Sequence, residues 1–156
     1  IMQAKNAGEA LYLASEMERR AVRLYERALL VFDRPDCQAA IRQILCEEKQ
    51  HLARFEAMGA QAPGFEEGQA LAAKASEVLF AGGLVEAQRK GAFESARALF
   101  AYAMEQESQA IACYGAFARQ FPGETGAAFA AIAQEEQTHL AQFAALQNAQ
   151  EKSEEA

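Results

Sequence analysis

Apolar residues recur every three or four positions along four stretches of the chain, which is the period of an amphipathic α-helix. The first stretch predicts a helix over 6–32, with Asn6 as its N-cap and Glu9 completing a capping box. A short break at Pro35 then starts a second helix, which we expect to end at Gly59. The short link predicts that these two helices form an antiparallel hairpin.

A second helix pair follows in the other half of the chain, predicted over 95–121 and 125–148 and separated by a Pro122-Gly123 turn. Residues 59–94 connect the two hairpins, with a short helix predicted over 70–80. No stretch shows the alternation typical of a strand. The sequence therefore predicts an all-α protein, a ferritin-like four-helix bundle of two antiparallel helix hairpins joined by a long crossover.

The chain has 156 residues and 51% hydrophobic content, which suits a single domain with one core. We expect the bundle to occupy 1–150 and the charged residues 151–156 to form an acidic, solvated or disordered tail. A formal net charge of -7 without a Lys/Arg cluster argues against nucleic acid and anionic membranes as partners. No apolar run approaches the ~20 residues of a membrane-spanning helix, and no signal-peptide pattern opens the chain. We therefore expect a cytoplasmic protein.

The three cysteines, Cys37, Cys46 and Cys113, are odd in number and show no C-x-x-C spacing. This pattern argues against a disulfide framework and against a thiolate metal site. We expect ordinary reduced thiols.

The only two histidines lie in almost the same eleven residues, EEKQHLARFEA at 47–57 and EEQTHLAQFAA at 135–145. Residues three apart on a helix differ by roughly 60° in direction and about 4.5 Å in height, so that a carboxylate and an imidazole can reach one cation. A single copy would favour an exposed helical ion pair, whereas two copies favour a metal site. The paired residues are Glu48 with His51, and Glu136 with His139.

The first and third predicted helices also repeat, since EMERRAVRLY at 16–25 matches EQESQAIACY at 105–114. Glu18 falls within the apolar stripe of its helix, while Glu16 points roughly 200° away and is expected to be solvated. The same distinction separates Glu107 from Glu105. Glu18 and Glu107 are therefore the candidate ligands.

In the histidine helices, Glu48 and Glu136 lie nearer the centre of the stripe than Glu47 and Glu135 do, although the latter are each four residues from a histidine. Four carboxylates in one apolar core would repel each other strongly unless a positive charge lay between them. Two divalent cations would neutralise them, and we expect Glu107 to be one of the bridging carboxylates. The predicted ligands are Glu18, Glu48, His51, Glu107, Glu136 and His139.

Carboxylate oxygen and imidazole nitrogen suit iron or manganese, and zinc or cobalt also accept such ligands. Tyr25 and Tyr114 each lie seven residues after a candidate glutamate. They are expected either to fill the core or to donate a hydrogen bond to a metal ligand.

Across essentially its whole length the chain resembles the rubrerythrin family of ferritin-like di-iron proteins. The resemblance lies in ESQA followed by a tyrosine at 107–114, in its partner at 18–25, and in the two Glu-x-x-His helices. It implies a centre of two iron ions per chain, ligated by the six residues named above. Ala110 stands where rubrerythrins carry an additional glutamate, so the resemblance does not extend to the family's redox-linked ligand exchange.

The resemblance implies a di-iron redox enzyme that reduces hydrogen peroxide or dioxygen. The family's rubredoxin-like domain with paired C-x-x-C motifs has no counterpart in these residues, so an external donor such as a rubredoxin-like protein is expected to supply the electrons. One alternative is a ferroxidase or iron-storage protein, and another is a structural bundle with a static metal site. Hydroxylation of an organic substrate is a weaker alternative. A homodimer is also compatible with the sequence, because bundles often bury a further helix face.

Overall fold

The computed structural model describes residues 4–68, 70 and 83–155, with side chains up to residue 150. These residues form helices and turns and contain no strand, which confirms the all-α prediction. None of the described helices is both long enough and apolar enough to cross a membrane. The helices are α1 (Ala7–Val31), α2 (Pro35–Gly59), α3 (Leu84–Arg89), α4 (Ala96–Gln120) and α5 (Glu124–Glu155).

The start of α1 follows the predicted cap, with one difference in its hydrogen bonds. The Asn6 side chain accepts from the backbone N–H of Glu9 at 2.8 Å. The Glu9 carboxylate accepts from the N–H of Lys5, also at 2.8 Å, and so reaches one residue further back than a capping box requires. Ser95 caps α4 in the same manner, accepting from the N–H of Ala98 at 3.0 Å.

Helix α2 ends at Gly59, as predicted. A glycine is required at this position because a side chain would not fit. A Cβ atom added to Gly59 would lie 2.1 Å from the ring of Phe65, which packs directly over the helix end. The Phe65 ring in turn contacts Tyr12 of α1, with centroids 5.3 Å apart. The chain leaving α2 is thus packed against the first turns of α1.

The directions of the four long helices follow from contacts between them. Short links make α1 antiparallel to α2 and α4 antiparallel to α5. Tyr25, late in α1, reaches Glu107 in the first half of α4, whereas Tyr114, later in α4, reaches Ala14. Helices α1 and α4 therefore also run antiparallel, and α2 and α4 run in the same direction.

The connection between the hairpins and the end of the last helix can be compared with the predictions at three places. Apart from Ala70, which is helical, the short helix predicted over 70–80 lies outside the described residues. Helix α3 was not predicted, since only a helix over 70–80 was expected within the connection. Helix α5 continues to Glu155, past the expected end at Asn148, because the residues beyond it are mainly good helix formers without glycine or proline.

Two apolar clusters fill the bundle, and a polar layer separates them. One cluster includes Leu24, Ile41, Phe100 and Phe143, and the other is built around Leu11, Phe55, Phe117 and Phe129. In each long helix the candidate glutamate falls between residues of the two clusters. The glutamates therefore lie in the interior, at one level of the bundle.

Candidate metal centre

The structure brings all six predicted ligands together in this polar layer. Helices α1 and α4 each contribute one glutamate, while α2 and α5 each contribute a glutamate and a histidine one turn later. All are buried despite their polarity. The exposed fractions are 2% for Glu18, Glu48 and Glu107, 1% for Glu136, 5% for His51 and 0% for His139.

The six side chains form two overlapping sets, each with ligand atoms within 4.8 Å of one another. The His51 group consists of Glu18, Glu48, His51 and Glu136. The His139 group consists of Glu48, Glu107, Glu136 and His139. The carboxylates common to both groups are thus those of the histidine helices, whereas Glu107, which we expected to bridge, belongs to one group only.

Both histidines direct Nδ1 towards the carboxylates. His51 Nδ1 lies 2.8 Å from Glu136 Oε1, and His139 Nδ1 lies 3.0 Å from Glu48 Oε1. The two rings are stacked with centroids 5.9 Å apart and an interplanar angle of 26°. Each imidazole therefore offers a nitrogen to the same small volume from its own helix.

The opposite ring nitrogen of each histidine is held by a carboxylate outside the two groups. His51 Nε2 donates to Glu135 Oε2, and His139 Nε2 donates to Glu47 Oε2, both at 2.7 Å. A carboxylate only accepts, so the proton lies on Nε2, and loss of the other proton leaves Nδ1 free to bind a cation. Glu47 and Glu135 therefore orient the imidazoles and are not part of the ligand groups.

The two tyrosines bond to ligand carboxylates across the bundle. Tyr25 donates its hydroxyl proton to Glu107 Oε1 at 2.6 Å, and Tyr114 donates to Glu18 Oε1 at 2.9 Å. Their rings also pack in the core, since Tyr114 contacts Phe55 with centroids 5.3 Å apart. The tyrosines thus fill both roles considered from the sequence, packing in the core and donating a hydrogen bond to a ligand. Each tyrosine holds a glutamate that belongs to the other hairpin.

The centre contains buried polar atoms that no hydrogen bond satisfies. The 3.0 Å approach of His139 Nδ1 to Glu48 Oε1 lies outside hydrogen-bond geometry. Leaving a buried polar atom unpaired costs about 1–3 kcal/mol, and more when it is charged. Such a set of oxygen and nitrogen donors fits divalent metal ions such as iron, manganese or zinc. Within the centre the unpaired atoms are Glu18 Oε2, Glu48 Oε1, Glu107 Oε2, Glu136 Oε2 and His139 Nδ1.

Burial and mutual interaction shift the pKa values of the acids and bases in the metal-free centre. Burial and then repulsion between neighbouring carboxylates raise the pKa of Glu18, Glu48 and Glu107. Burial alone would raise the pKa of Glu136 as well, but hydrogen bonds from the surrounding groups hold it well below its usual range. Burial lowers the pKa of His139, yet the neighbouring carboxylates of Glu136 and Glu48 favour its charged form, outweigh the burial and raise the pKa to about 10. A bound cation therefore takes the place of protons.

The residues expected to lie away from the centre do so. Glu16 is half-buried and pairs with Arg19 at 2.9 Å, while Glu105 is exposed. The three cysteines are free thiols, as predicted, and none belongs to either ligand group.

A cavity of about 50 Å³ adjoins the centre between α1 and α4. The four ligand glutamates line it, together with other residues that include Ala21 and Ala110. Neither His51 nor His139 lines it. The Ala110 methyl group therefore borders this cavity.

No family model, no curated protein and no solved structure matches the chain.

Proposed function

We propose that this chain is a ferritin-like, rubrerythrin-type di-iron protein that reduces hydrogen peroxide or dioxygen with electrons from an external donor. The observation that carries the proposal is the overlap of two four-residue ligand groups through Glu48 and Glu136. Two carboxylates common to both groups favour two cations side by side, and such pairs typically lie about 3.5–4 Å apart.

The arrangement of the helices supports the same proposal. The last helix of the first hairpin, α2, and the first helix of the second hairpin, α4, run in the same direction. One long connection is therefore needed to join the two hairpins. A four-helix bundle with one long crossover is typical of ferritin-like di-iron carboxylate proteins. In those proteins the metal ligands also project inward from all four helices, as the six side chains do here.

The donor set divides evenly between two iron ions. Glu18 and His51 would bind one ion and Glu107 and His139 the other, with the shared carboxylates contacting both. Four carboxylates balance the charge of two Fe(II) ions. When bound, the iron pair supplies the two electrons that convert hydrogen peroxide and two protons into two water molecules.

The protein's own side chains keep the donors in place. The hydroxyls of Tyr25 and Tyr114 hold the carboxylates of Glu107 and Glu18, so that these two donors stay oriented towards the centre. The apolar clusters above and below limit the access of water to the layer. We assign the return of electrons to a separate donor, such as a rubredoxin-like protein.

Ferroxidase or iron-storage activity is the second candidate, and Ala110 favours it. The cavity wall at this position carries no carboxylate, so the centre has only its six-residue donor set. In that case Fe(II) is substrate, and Fe(III) leaves after oxidation. A static structural metal is the third candidate.

Anaerobic titration with Fe(II), followed by separate mixing with hydrogen peroxide and dioxygen, distinguishes these candidates. We expect two iron ions per chain, which oxidise rapidly with peroxide or dioxygen and remain bound through reduction and a second cycle. Release of iron, or its accumulation beyond two per chain, would identify a ferroxidase. Stoichiometric binding without oxidation would identify a static site, and absence of binding would reject the metal centre.

A further inference from the structure

The two hairpins repeat one another in sequence but differ in the charge of their outer faces. Arg19 of α1 lies 3.7 Å from Glu56 of α2, which identifies the flank on which the two helices of the first hairpin meet. Ser108 and Ala144 take the equivalent positions in α4 and α5. The same flank is therefore charged in one hairpin and uncharged in the other.

Four positions on each long helix form the outer face beside this flank. They lie six and two residues before the ligand glutamate and one and five residues after it, a spacing that keeps them on one side of the helix. In the first hairpin most of these side chains are charged, whereas in the second Glu105 alone is charged. The residues of the first hairpin are Tyr12, Glu16, Arg19, Arg23, Arg42, Cys46, Lys49 and Ala53, and those of the second, which we call the α4–α5 face, are Ala101, Glu105, Ser108, Ala112, Ala130, Gln134, Gln137 and Ala141.

Every residue of the α4–α5 face is exposed. A solvated helix face normally carries charged and polar side chains, and depletion of charged residues marks the centre of a protein interface. Alanine also loses no rotamer freedom when it is buried. The first hairpin supplies the internal comparison, because the same positions of the repeat are mostly charged there. The α4–α5 face therefore has the composition of a surface that another protein covers.

The order of residues on this face suits a second copy of the same chain. In a twofold contact, each residue that meets a second residue of the other copy is met in return by the first. On both helices alanine occupies the outer two of the four positions, and polar side chains occupy the inner two. An antiparallel twofold pairing centred next to Glu107 and Glu136 therefore places alanine against alanine on both helices at once. The opposed pairs are Ala101 with Ala112, Glu105 with Ser108, Ala130 with Ala141, and Gln134 with Gln137.

The opposed polar side chains have complementary hydrogen-bonding groups. The hydroxyl of Ser108 donates and the carboxylate of Glu105 accepts, while Gln134 and Gln137 each offer both a donor and an acceptor. In the first hairpin the same pairing would bury Arg23 against an uncharged residue, which is costly for an unpaired charge. The self-complementary arrangement is thus a property of the second hairpin.

The size of the face and the charge of the chain also favour a dimer. Helices of about 20 residues are roughly 30 Å long, and two side by side are roughly 20 Å wide, so the face covers roughly 600 Å² on each copy. A dimer would bury about 1,200 Å² in total, which reaches the range of roughly 1,200–2,000 Å² for specific interfaces. Because two chains of formal charge -7 repel each other, contact is favoured where the surface charge is lowest.

We propose that the chain forms a twofold dimer through the α4–α5 face, with α4 and α5 of one copy packed antiparallel on α4 and α5 of the other. The proposal concerns the outside of the bundle and is independent of the proposed function. Each copy contains both ligand groups within its own chain. Association is therefore not needed to complete the metal centre.

Light scattering and sedimentation velocity over a series of protein concentrations measure the association. The variants are Ala141→Arg, Ala130→Glu and the double variant Ala130→Glu/Ala141→Arg. The matched control is Ala53→Arg, at the equivalent exposed position of α2. The two substituted positions of α5 are about 16 Å apart along the helix, so that the introduced charges pair only between copies. Circular dichroism verifies that each variant is folded.

We expect the wild type and the control to be dimers, with a dissociation constant raised roughly tenfold or more in each single variant of α5, where a charge faces an alanine. The double variant should associate more tightly than either single variant, because each arginine then lies opposite a glutamate. A wild type that stays monomeric at all concentrations would overturn the proposal, as would equal weakening by Ala53→Arg. A double variant no tighter than the single ones would overturn the antiparallel pairing.

A second pair of positions, on α4, keeps the test decisive if a variant of α5 does not fold. Ala112→Arg gives α4 the residue that α1 carries as Arg23 at the equivalent position of the repeat. It should weaken association, and the further substitution Ala101→Glu should strengthen it again. Association unchanged by Ala112→Arg would contradict the proposed face.

Discussion

Replacing one shared and one unshared glutamate with glutamine should remove different numbers of metal ions. Glu48 belongs to both ligand groups, whereas Glu18 belongs only to the His51 group. Glutamine keeps the size of the side chain and removes its charge. We therefore expect Glu18→Gln to retain the metal of the His139 group and Glu48→Gln to weaken both sites.

The magnitude follows from linkage between binding and folding. A ligand at 100 times its Kd stabilises the folded state by about 2.7 kcal/mol, so two filled sites contribute about 5.4 kcal/mol. For a chain of this length, 1 kcal/mol changes Tm by roughly 2–4 °C. Metal should thus raise Tm by roughly 11–22 °C in the wild type and by about half as much in Glu18→Gln. Little or no rise is expected in Glu48→Gln.

Thermal melts with and without Mn(II) or anaerobic Fe(II), together with metal analysis, test this prediction. Glu105→Gln is the control, because its carboxylate is exposed on α4, two residues from a ligand. Metal-free Glu48→Gln should be at least as stable as the metal-free wild type at neutral pH, since repulsion by Glu48 is one cause of the raised pKa of Glu18. Equal metal loss in Glu18→Gln and Glu48→Gln would refute the assignment of shared carboxylates.

Three further predictions concern the surroundings of the centre, its protons and one turn. Glu135→Gln should weaken metal binding about 10–100-fold at the His51 site only, because the imidazole loses its carboxylate partner; competitive titration showing equal weakening at both sites would contradict this. The metal-free protein should lose stability as pH rises from 6.5 to 10, because the pKa of His139 is raised to about 10 and the folded state holds a proton that the unfolded state has released. Chemical denaturation across this range checks the sign, and bound metal should reduce the slope. Gly126→Ala should destabilise the fold by about 1–3 kcal/mol, because the new Cβ would lie 2.0 Å from a backbone carbonyl oxygen. Gly115→Ala, whose nearest neighbour is a flexible side chain at 3.6 Å, should not destabilise it.

The periodicity of the sequence predicted the two hairpins and the face on which each ligand lies. That information is local, because the position of a side chain on a helix depends only on its spacing from neighbours in the chain. The separation of Glu18 from Glu16 and of Glu107 from Glu105 was confirmed for this reason. A second copy of the motif then indicated that the four helices meet at one level.

Partners across the bundle were not predictable in the same way. Glu47 lies four residues from His51 in the sequence, yet it binds His139, and Glu135 binds His51. The choice depends on how α2 and α5 are offset along their axes, which spacing within one helix does not determine. The same limit explains why the sequence did not identify Glu48 and Glu136 as the shared pair.

The short helix α3 was missed for a different physical reason. Its six residues are fewer than two helical turns, and isolated helices of this length do not form without packing. Ala87, buried against the cluster that includes Phe100, supplies that packing. No periodic signal was available in so short a stretch.

The pairing of each ligand group across both halves of the repeat has an evolutionary consequence. Neither the hairpin of α1 and α2 nor that of α4 and α5 contains a complete group, since each group requires glutamates from both. A half-length ancestor with one glutamate and one Glu-x-x-His pair would therefore have bound two metals only as a dimer of identical chains. In such a dimer the metals would lie on either side of the twofold axis, and fusion of the two copies would have freed each half to change independently. Arg20 and Gln109 occupy equivalent positions of the repeat and both line the cavity, so the two halves differ at this place.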